Sequence, residues 1–217
     1  MKRNTKAILI AASALLALTM AVVGTVAFLI SSQEVVNTFT VGQVHINLDE
    51  ADVDEDGDPV EGADRVKGNE YHLVPGQTYT KDPTVTVLKG SEEAYVRMTV
   101  TLNKVAELKA ILGDDFLPEN YVAGWDRDVW NCVEITDNGD NTVTYEFRYY
   151  EIVDARDAAD DVVLDALFDE FTLPGDFTNE DLKSIEGFKI VVQGHAIQAT
   201  GFEDADAAWA AFNDQVK

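Results

Sequence analysis

Cysteine is nearly absent from this chain, which carries one, Cys132. A lone thiol has no internal partner, so no disulfide framework holds the protein and its core must rest on packing or on metal. Within "VWNCVEI" the residue reads as a small buried hydrophobe rather than a reactive thiol. Histidine is almost as scarce, with three residues at positions 45, 72 and 195. None forms a His-Glu-x-x-His pair or any spacing that sets two imidazoles on one face, so a zinc hydrolase is unsupported. His45 alternates with Val44 and Ile46 and is expected to face outward, His72 precedes a Pro-Gly turn, and His195 follows a strand glycine. All three read as surface or hydrogen-bonded side chains. There is no Gly-x-Ser-x-Gly elbow and no phosphate loop, and no histidine neighbours Cys132 in sequence. Among forty carboxylates no pair stands out as a glycosidase acid and base.

Positive charge is the third shortage. Sixteen Lys and Arg face 40 Asp and Glu, for a net charge of −24. Nucleic acid and anionic lipid both call for a basic face, so neither is expected as a partner. Such a surface favours solubility, divalent cations and cationic partners, and most of these carboxylates read as a solvated exterior. Internal repeats, low-complexity tracts and a second domain boundary are also lacking.

The N-terminus is where apolar residues concentrate. Ala7 to Ile30 carry no charge and follow Lys2, Arg3 and Lys6, a basic lead into a long hydrophobic run that predicts export. The run reaches the ~20 residues needed to span a bilayer, so an uncleaved anchor competes with a signal peptide. Thr25-Val26-Ala27 supplies small or β-branched residues where a signal peptidase inspects the chain, and Gly24 breaks the helix before them. The expected cut lies between Ala27 and Phe28, making 1–27 a signal peptide and 28–217 a single domain. Removing residues 1–27 takes away three cations and leaves 13 Lys and Arg against 40 Asp and Glu, a net charge of −27. About 190 residues remain, enough for one substantial core.

Alternation dominates the mature chain. Phe39 and Val41 share one parity and Val44, Ile46 and Leu48 the other, which predicts one strand kinked at Gly42. Val85 and Val87, a turn at Lys89-Gly90, and Val96, Met98, Val100 and Leu102 predict a hairpin with Arg97, Thr99 and Thr101 on a wet face. "WNCVEI" and "TVTYEFRYYEI" flank Asn138-Gly139 and predict a second hairpin. A last strand is expected over Phe188–Ala199, interrupted by Gly194. Half-buried strands joined by polar turns, with no βαβ rhythm, predict a mainly β fold: an antiparallel, jelly-roll-like sandwich with a few short decorating helices. Those helices are expected at Val105–Leu112, at 157–171 (Val163, Leu164, Leu167, Phe168, Phe171), after a Thr178-x-x-Asp181 capping box, and at the C-terminus. There Ala205, Ala208, Trp209 and Phe212 share a face. The three tryptophans read as core anchors.

The sharpest chemical motif is "DEADVDEDGDPVEGAD". Asp52, Asp54, Asp56 and Asp58 alternate around Gly57 like the first half of a calcium loop. The twelfth position is Ala63 where a bidentate glutamate belongs, with Asp64 or Glu61 as substitutes in an irregular loop. No cofactor is otherwise expected. Calcium on Asp52, Asp54, Asp56, Asp58 and Asp64 competes with a solvated acidic hairpin loop.

Four stretches in chain order, "GTVAF", "NTFTVGQVHINLDE", "LVPGQTYTKDPTVTVLKGSEEAYVRMTV" and "AIQATGFEDADAAWAAF", together resemble the TasA/camelysin family of exported proteins. The most specific part is Pro75-Gly76-Gln77 followed by Asp82-Pro83 and Ala94-Tyr95-Val96-Arg97. The resemblance implies a jelly-roll sandwich, processing by a SipW-type signal peptidase, and assembly into extracellular biofilm matrix fibres. Camelysin-like members have been classed as metallopeptidases, but no zinc-protease motif stands in this chain, so a cell-surface hydrolase is the alternative rather than the expectation. A non-assembling adhesin is the other. Cleavage leaves Phe28, Leu29, Ile30, Val35 and Val36 at a new N-terminus, too apolar to stay comfortably solvated. Residues 28–37 are therefore expected to act as a donor strand for a neighbouring copy, with a terminus folded back on its own domain as the alternative, and the membrane is met only in transit. No Leu-Pro-x-Thr-Gly signal precedes the terminal "FNDQVK", so covalent wall attachment is not expected.

Overall fold

The structure, a computed structural model, describes residues 43–113 and 116–215. The expected cleavage site and donor segment, with Thr25, Ala27, Phe28, Leu29, Ile30, Val35 and Val36, lie outside the described residues. The fold is mainly β and antiparallel throughout. One three-stranded sheet runs in the order β1 (Ile46–Asp49), β3 (Thr84–Val87), β8 (Val162–Val163). A second runs β2 (Thr78–Thr80), β9 (Glu170–Thr172), β5 (Val122–Ala123). The four-stranded sheet is β10 (Ile190–Gln198), β4 (Ala94–Leu102), β7 (Val143–Tyr149), β6 (Trp130–Asp137). Among the described residues no helix is long and apolar enough to cross a membrane.

The two three-stranded sheets are continuous. Thr78–Thr80 pairs with Glu170–Thr172, and the amide of Lys81 donates to the carbonyl of Asp169 (2.9 Å). Leu167 donates to Pro83 and Leu164 to Val85, both at 3.0 Å, before Thr86 and Val87 pair with Val163 and Val162. Residues 78–87 and 163–172 thus form one bent ladder. Its inner side chains, Val85, Val87, Leu164, Leu167 and Phe168, share a core with Val96, Met98, Val100 and Leu102 of β4, Trp130 and Phe147. A second cluster of Tyr79, Phe171, Leu173, Leu108 and Ile185 fills the far end of the bend.

Helix α1 (Val105–Leu112) closes that end with Leu108, α2 (Asn179–Ser184) starts at the expected capping box, and α3 (Ala205–Gln215) buries Ala208 and Trp209. In the box, Thr178 Oγ1 accepts from the amide of Asp181 (3.2 Å), whose carboxylate accepts from the amide of Thr178 (2.8 Å). The Thr178 hydroxyl, which also donates to that carboxylate (2.7 Å), and then the Thr178 amide hold the Asp181 carboxyl below its ordinary range. The β6–β7 hairpin forms as expected, with a bulge between Cys132 and Glu134, Gly139 at φ +74° and Asn141 at φ +65° in its turn.

Three expectations are corrected. Val85–Val87 and Val96–Leu102 are not a hairpin: β3 pairs with β1 and β8, β4 with β10 and β7, and the Lys89-Gly90 turn carries the chain from one sheet to the other. Alternation shows which face of a strand is buried, and two strands facing each other across a core alternate just as paired ones do. Residues 157–171 are not helical but cross between sheets as β8 and β9, and their apolar spacing comes from dipping into the core in each. Of the strand expected to kink at Gly42, the second half forms β1 (Ile46–Asp49), and Phe39, Val41 and Gly42 lie outside the described residues. Gly194 does not interrupt β10, whose register against β4 is unbroken from Ile190 to Gln198.

Gly194 instead sets the sheet separation. A Cβ there would meet Val85 Cγ2 at 3.2 Å, Leu48 Cβ at 3.5 Å and Ile46 Cδ1 at 3.6 Å, side chains of the opposite sheet. Gly194→Val is expected to wedge β10 away from β1 and β3 and to lose about 2 kcal/mol in urea denaturation, within the usual range for overpacking.

Candidate functional site

Strand β10 lies at one end of its sheet, and β1, packed across from it, lies at one end of the facing sheet. Between these two ends opens a groove of about 970 Å³. Its floor is apolar because Leu48 of β1 and Ile190 and Val192 of β10 reach it from the core side, joined by Leu182 and Ile185 from the α2 segment. Its walls are charged but balanced: Lys67, Lys81, Lys183 and Lys189 stand against Asp49, Glu50, Glu70 and Glu186. In a chain of net charge −24, this balance sets the groove apart from the rest of the surface.

The two strands that border the groove differ in availability. The edge of β1 is already occupied by side chains: Lys67 Nζ donates to the carbonyl of Leu48 (2.7 Å) and Arg65 Nη2 to that of Asp49 (3.2 Å). Arg65 also grips Asp82 through Nη1 (2.8 Å) and Thr84 through Nη2 (3.0 Å), so the 65–67 segment is fastened across β1. β10 has β4 on one side and, among the described residues, no strand on the other. It is nine residues long, and Val191 is 46% exposed.

Within the groove wall Lys81 and Glu50 form a buried ion pair at 2.5 Å, with side chains 7% and 6% exposed. The remaining Glu50 oxygen accepts from the Asn69 amide (3.0 Å) and from Asn69 Nδ2 (2.9 Å), and Asn69 Nδ2 also reaches the carbonyl of Ala51 (2.8 Å). A carboxylate so fully bonded fixes the 66–70 wall to the start of the acidic loop.

The acidic loop is a hairpin tip. Asp54 accepts at Oδ1 from the amides of Asp56 and Asp58, both at 3.0 Å, and Val60 donates to the carbonyl of Asp52 (2.9 Å). Gly57, at φ +83°, presses on Tyr79, where a Cβ would lie 2.4 Å from Cδ1. Asp54, Asp56, Asp58 and Asp64 are exposed and Asp52 half-buried. Among the described residues no three or more His, Cys, Asp or Glu side chains are gathered so as to hold one metal ion. Of the four alternating aspartates, Asp54 serves the turn as its side-chain acceptor.

The opposite side of the fold, between α1, β6 and β5, holds a smaller apolar cleft of about 120 Å³. Ile135 on its rim is 62% exposed and Cys132 lines it half-buried. Burial, with the Glu119 charge second, pushes the Cys132 thiol up. His45 and His72 are exposed, as the sequence predicts. His195 departs from expectation: its Nδ1 is buried and without a hydrogen-bond partner. Sequence reading missed Lys81, Glu50 and Arg65. The scarcity of cations was the available signal, because a chain with so few holds some of them where they close the structure.

Glu50→Ala is expected to destabilise the fold by about 3–5 kcal/mol in urea denaturation, since it strands the Lys81 ammonium in the interior. The double variant Glu50→Leu/Lys81→Met is expected to recover most of that loss. No family model, no curated protein and no solved structure matches the chain.

Proposed function

We propose that the protein is a structural subunit of secreted or cell-surface fibres of a bacterial biofilm matrix, assembling when residues 28–37 of one copy add as a strand to the next. The observation that carries this reading is the edge of β10, unpaired among the described residues, bordering a groove with an apolar floor and balanced walls. An added strand satisfies backbone groups along such an edge while its alternate side chains enter the groove. The segment "FLISSQEVVN" offers apolar residues at both ends and one charged side chain, Glu34, which the new α-ammonium of Phe28 offsets, so its net charge suits a neutral site. Head-to-tail addition of this kind does not close and yields a filament.

The same reading takes the fold as a jelly-roll variant. Counting β2 with β3 and β8 with β9 as single bent strands gives eight in chain order. The third then lies between the eighth and the sixth, and the seventh between the second and the fourth, which are the central neighbours of a jelly roll. The first and fifth strands, β1 and β6, are placed differently, each beside its neighbour in sequence. The proposal also includes export through a SipW-type signal peptidase and no enzymatic activity.

Electron microscopy of the mature protein tests the assembly. The net charge of −27 opposes association, so fibres are expected to form when acid, salt or divalent cations screen or neutralise the carboxylates. Deletion of residues 28–37 is expected to leave a folded monomer that forms no fibres under the same conditions. Fibres from the truncated chain indistinguishable from those of the full mature chain would sink the strand-addition reading.

A further inference from the structure

Among the described residues, three buried side-chain polar atoms lack a hydrogen-bond partner: Arg97 Nε, His195 Nδ1 and Trp209 Nε1. All three belong to one contact. Arg97 of β4 and His195 of β10 stand directly opposite each other, on the face of the sheet turned away from the core, and α3 lies over them. The Arg97 guanidinium sits 4.4 Å from the ring centre of Trp209 and 4.9 Å from that of Phe212. The His195 ring meets Phe212 edge-on at 5.2 Å. Arg97 is 5% and Trp209 1% exposed, so the face that alternation marks as wet is sealed by this helix.

The charges around the imidazole are already committed. On β4, Arg97 Nη1 donates to Glu146 Oε2 (2.9 Å) and Nη2 to Asn213 Oδ1 of α3 (2.8 Å). On β7, Glu146 accepts with its other oxygen from Arg148 Nε (2.7 Å), and Arg148 reaches on to Asp206 of α3. Glu134 of β6 lies opposite Glu146, and Asp214 of α3 is itself engaged. Glu146, whose charge favours an imidazolium, is thus shared by two arginines. A proton added at Nδ1 would become a buried N–H without an acceptor, beside a guanidinium.

We propose that this contact is an acid-operated clasp: with His195 neutral, α3 lies on the sheet, and when His195 takes up a proton the second cation opposite Arg97 drives α3 off, uncovering Trp209 and Phe212. The sign follows from linkage. Burial and then the Arg97 charge hold the docked imidazole below its ordinary value of 6.5. The released state therefore binds more protons, and docking is at full strength above pH 6.5 and weakens below it. If the docked histidine stays neutral while the released one titrates at about 6.5, docking weakens up to about thirtyfold at pH 5.0. The clasp does not depend on fibre assembly.

Hydrogen exchange of the purified protein at pH 7.5 and 5.0, corrected for intrinsic rates, tests it. Protection of the α3 amides is expected to fall by up to about thirtyfold at pH 5.0 while that of β4 and β7 holds. His195→Gln and His195→Phe, which take up no proton, are expected to keep α3 protected at both values. The Phe variant retains the stack on Phe212 and decides the matter where Gln fails to fold. An equal loss in the wild-type protein and the variants, or no loss in the wild-type protein, would overturn the clasp.

Discussion

The antiparallel ladder between residues 78–87 and 163–172 is the constraint from which the rest of the architecture follows. It joins segments far apart in sequence, and it bends, so that its two ends supply both three-stranded sheets. At one end Val85, Val87 and Leu164 face β4, and at the other Tyr79 and Phe171 stack at 5.0 Å against the second cluster. The bend falls at Lys81-Asp82-Pro83. There a missing proline N–H is harmless, and Lys81 and Asp82 turn their side chains to Glu50, Arg65 and the amide of Ala51. The Glu50–Lys81 pair thus sits at the corner where the sheet changes direction, and the groove opens beside that corner.

Cation scarcity gives each buried arginine or lysine a defined place. Lys81 fixes the corner and Arg97 fixes α3. Arg65 ties the 65–67 segment to β1, and Arg156 pairs with Glu93 and Asp154 near the crossing from β3 to β4. Exposed pairs such as the last contribute little in water. The buried ones matter through what their loss would leave behind, an ion without a counter-ion in the interior.

What the sequence made legible was local. The β6–β7 hairpin, the Thr178 capping box and the apolar face of α3 each rest on residues within a few positions of one another, where turn chemistry and periodicity operate directly. The ladder was hidden because its partners lie more than seventy residues apart and alternate in phase with any other strand. Leu164, Leu167 and Phe168 mimicked a helical stripe because a segment that crosses between two sheets buries side chains at irregular intervals. Arg97 read as a wet-face residue, since nothing at position 97 announces a helix arriving from beyond position 204. The groove was invisible for the same reason: Leu48, Lys81 and Val192 meet only once the ladder and β10 are in place.

An acidic exterior and an unpaired strand edge answer each other physically. A long edge with an exposed Val191 invites association, and on a neutral protein it would be an aggregation hazard. Here one copy approaches another through a field set by a net charge of −24, which holds copies apart at low ionic strength. The repulsion acts at long range and is screened by salt within about 10 Å at 0.1 M, whereas the backbone pairing proposed along β10 would act only on contact. The balanced walls of the groove lower the local cost of that contact without lowering the global barrier to approach. In the proposed fibre, solution conditions rather than any change in the edge itself would then decide when copies meet.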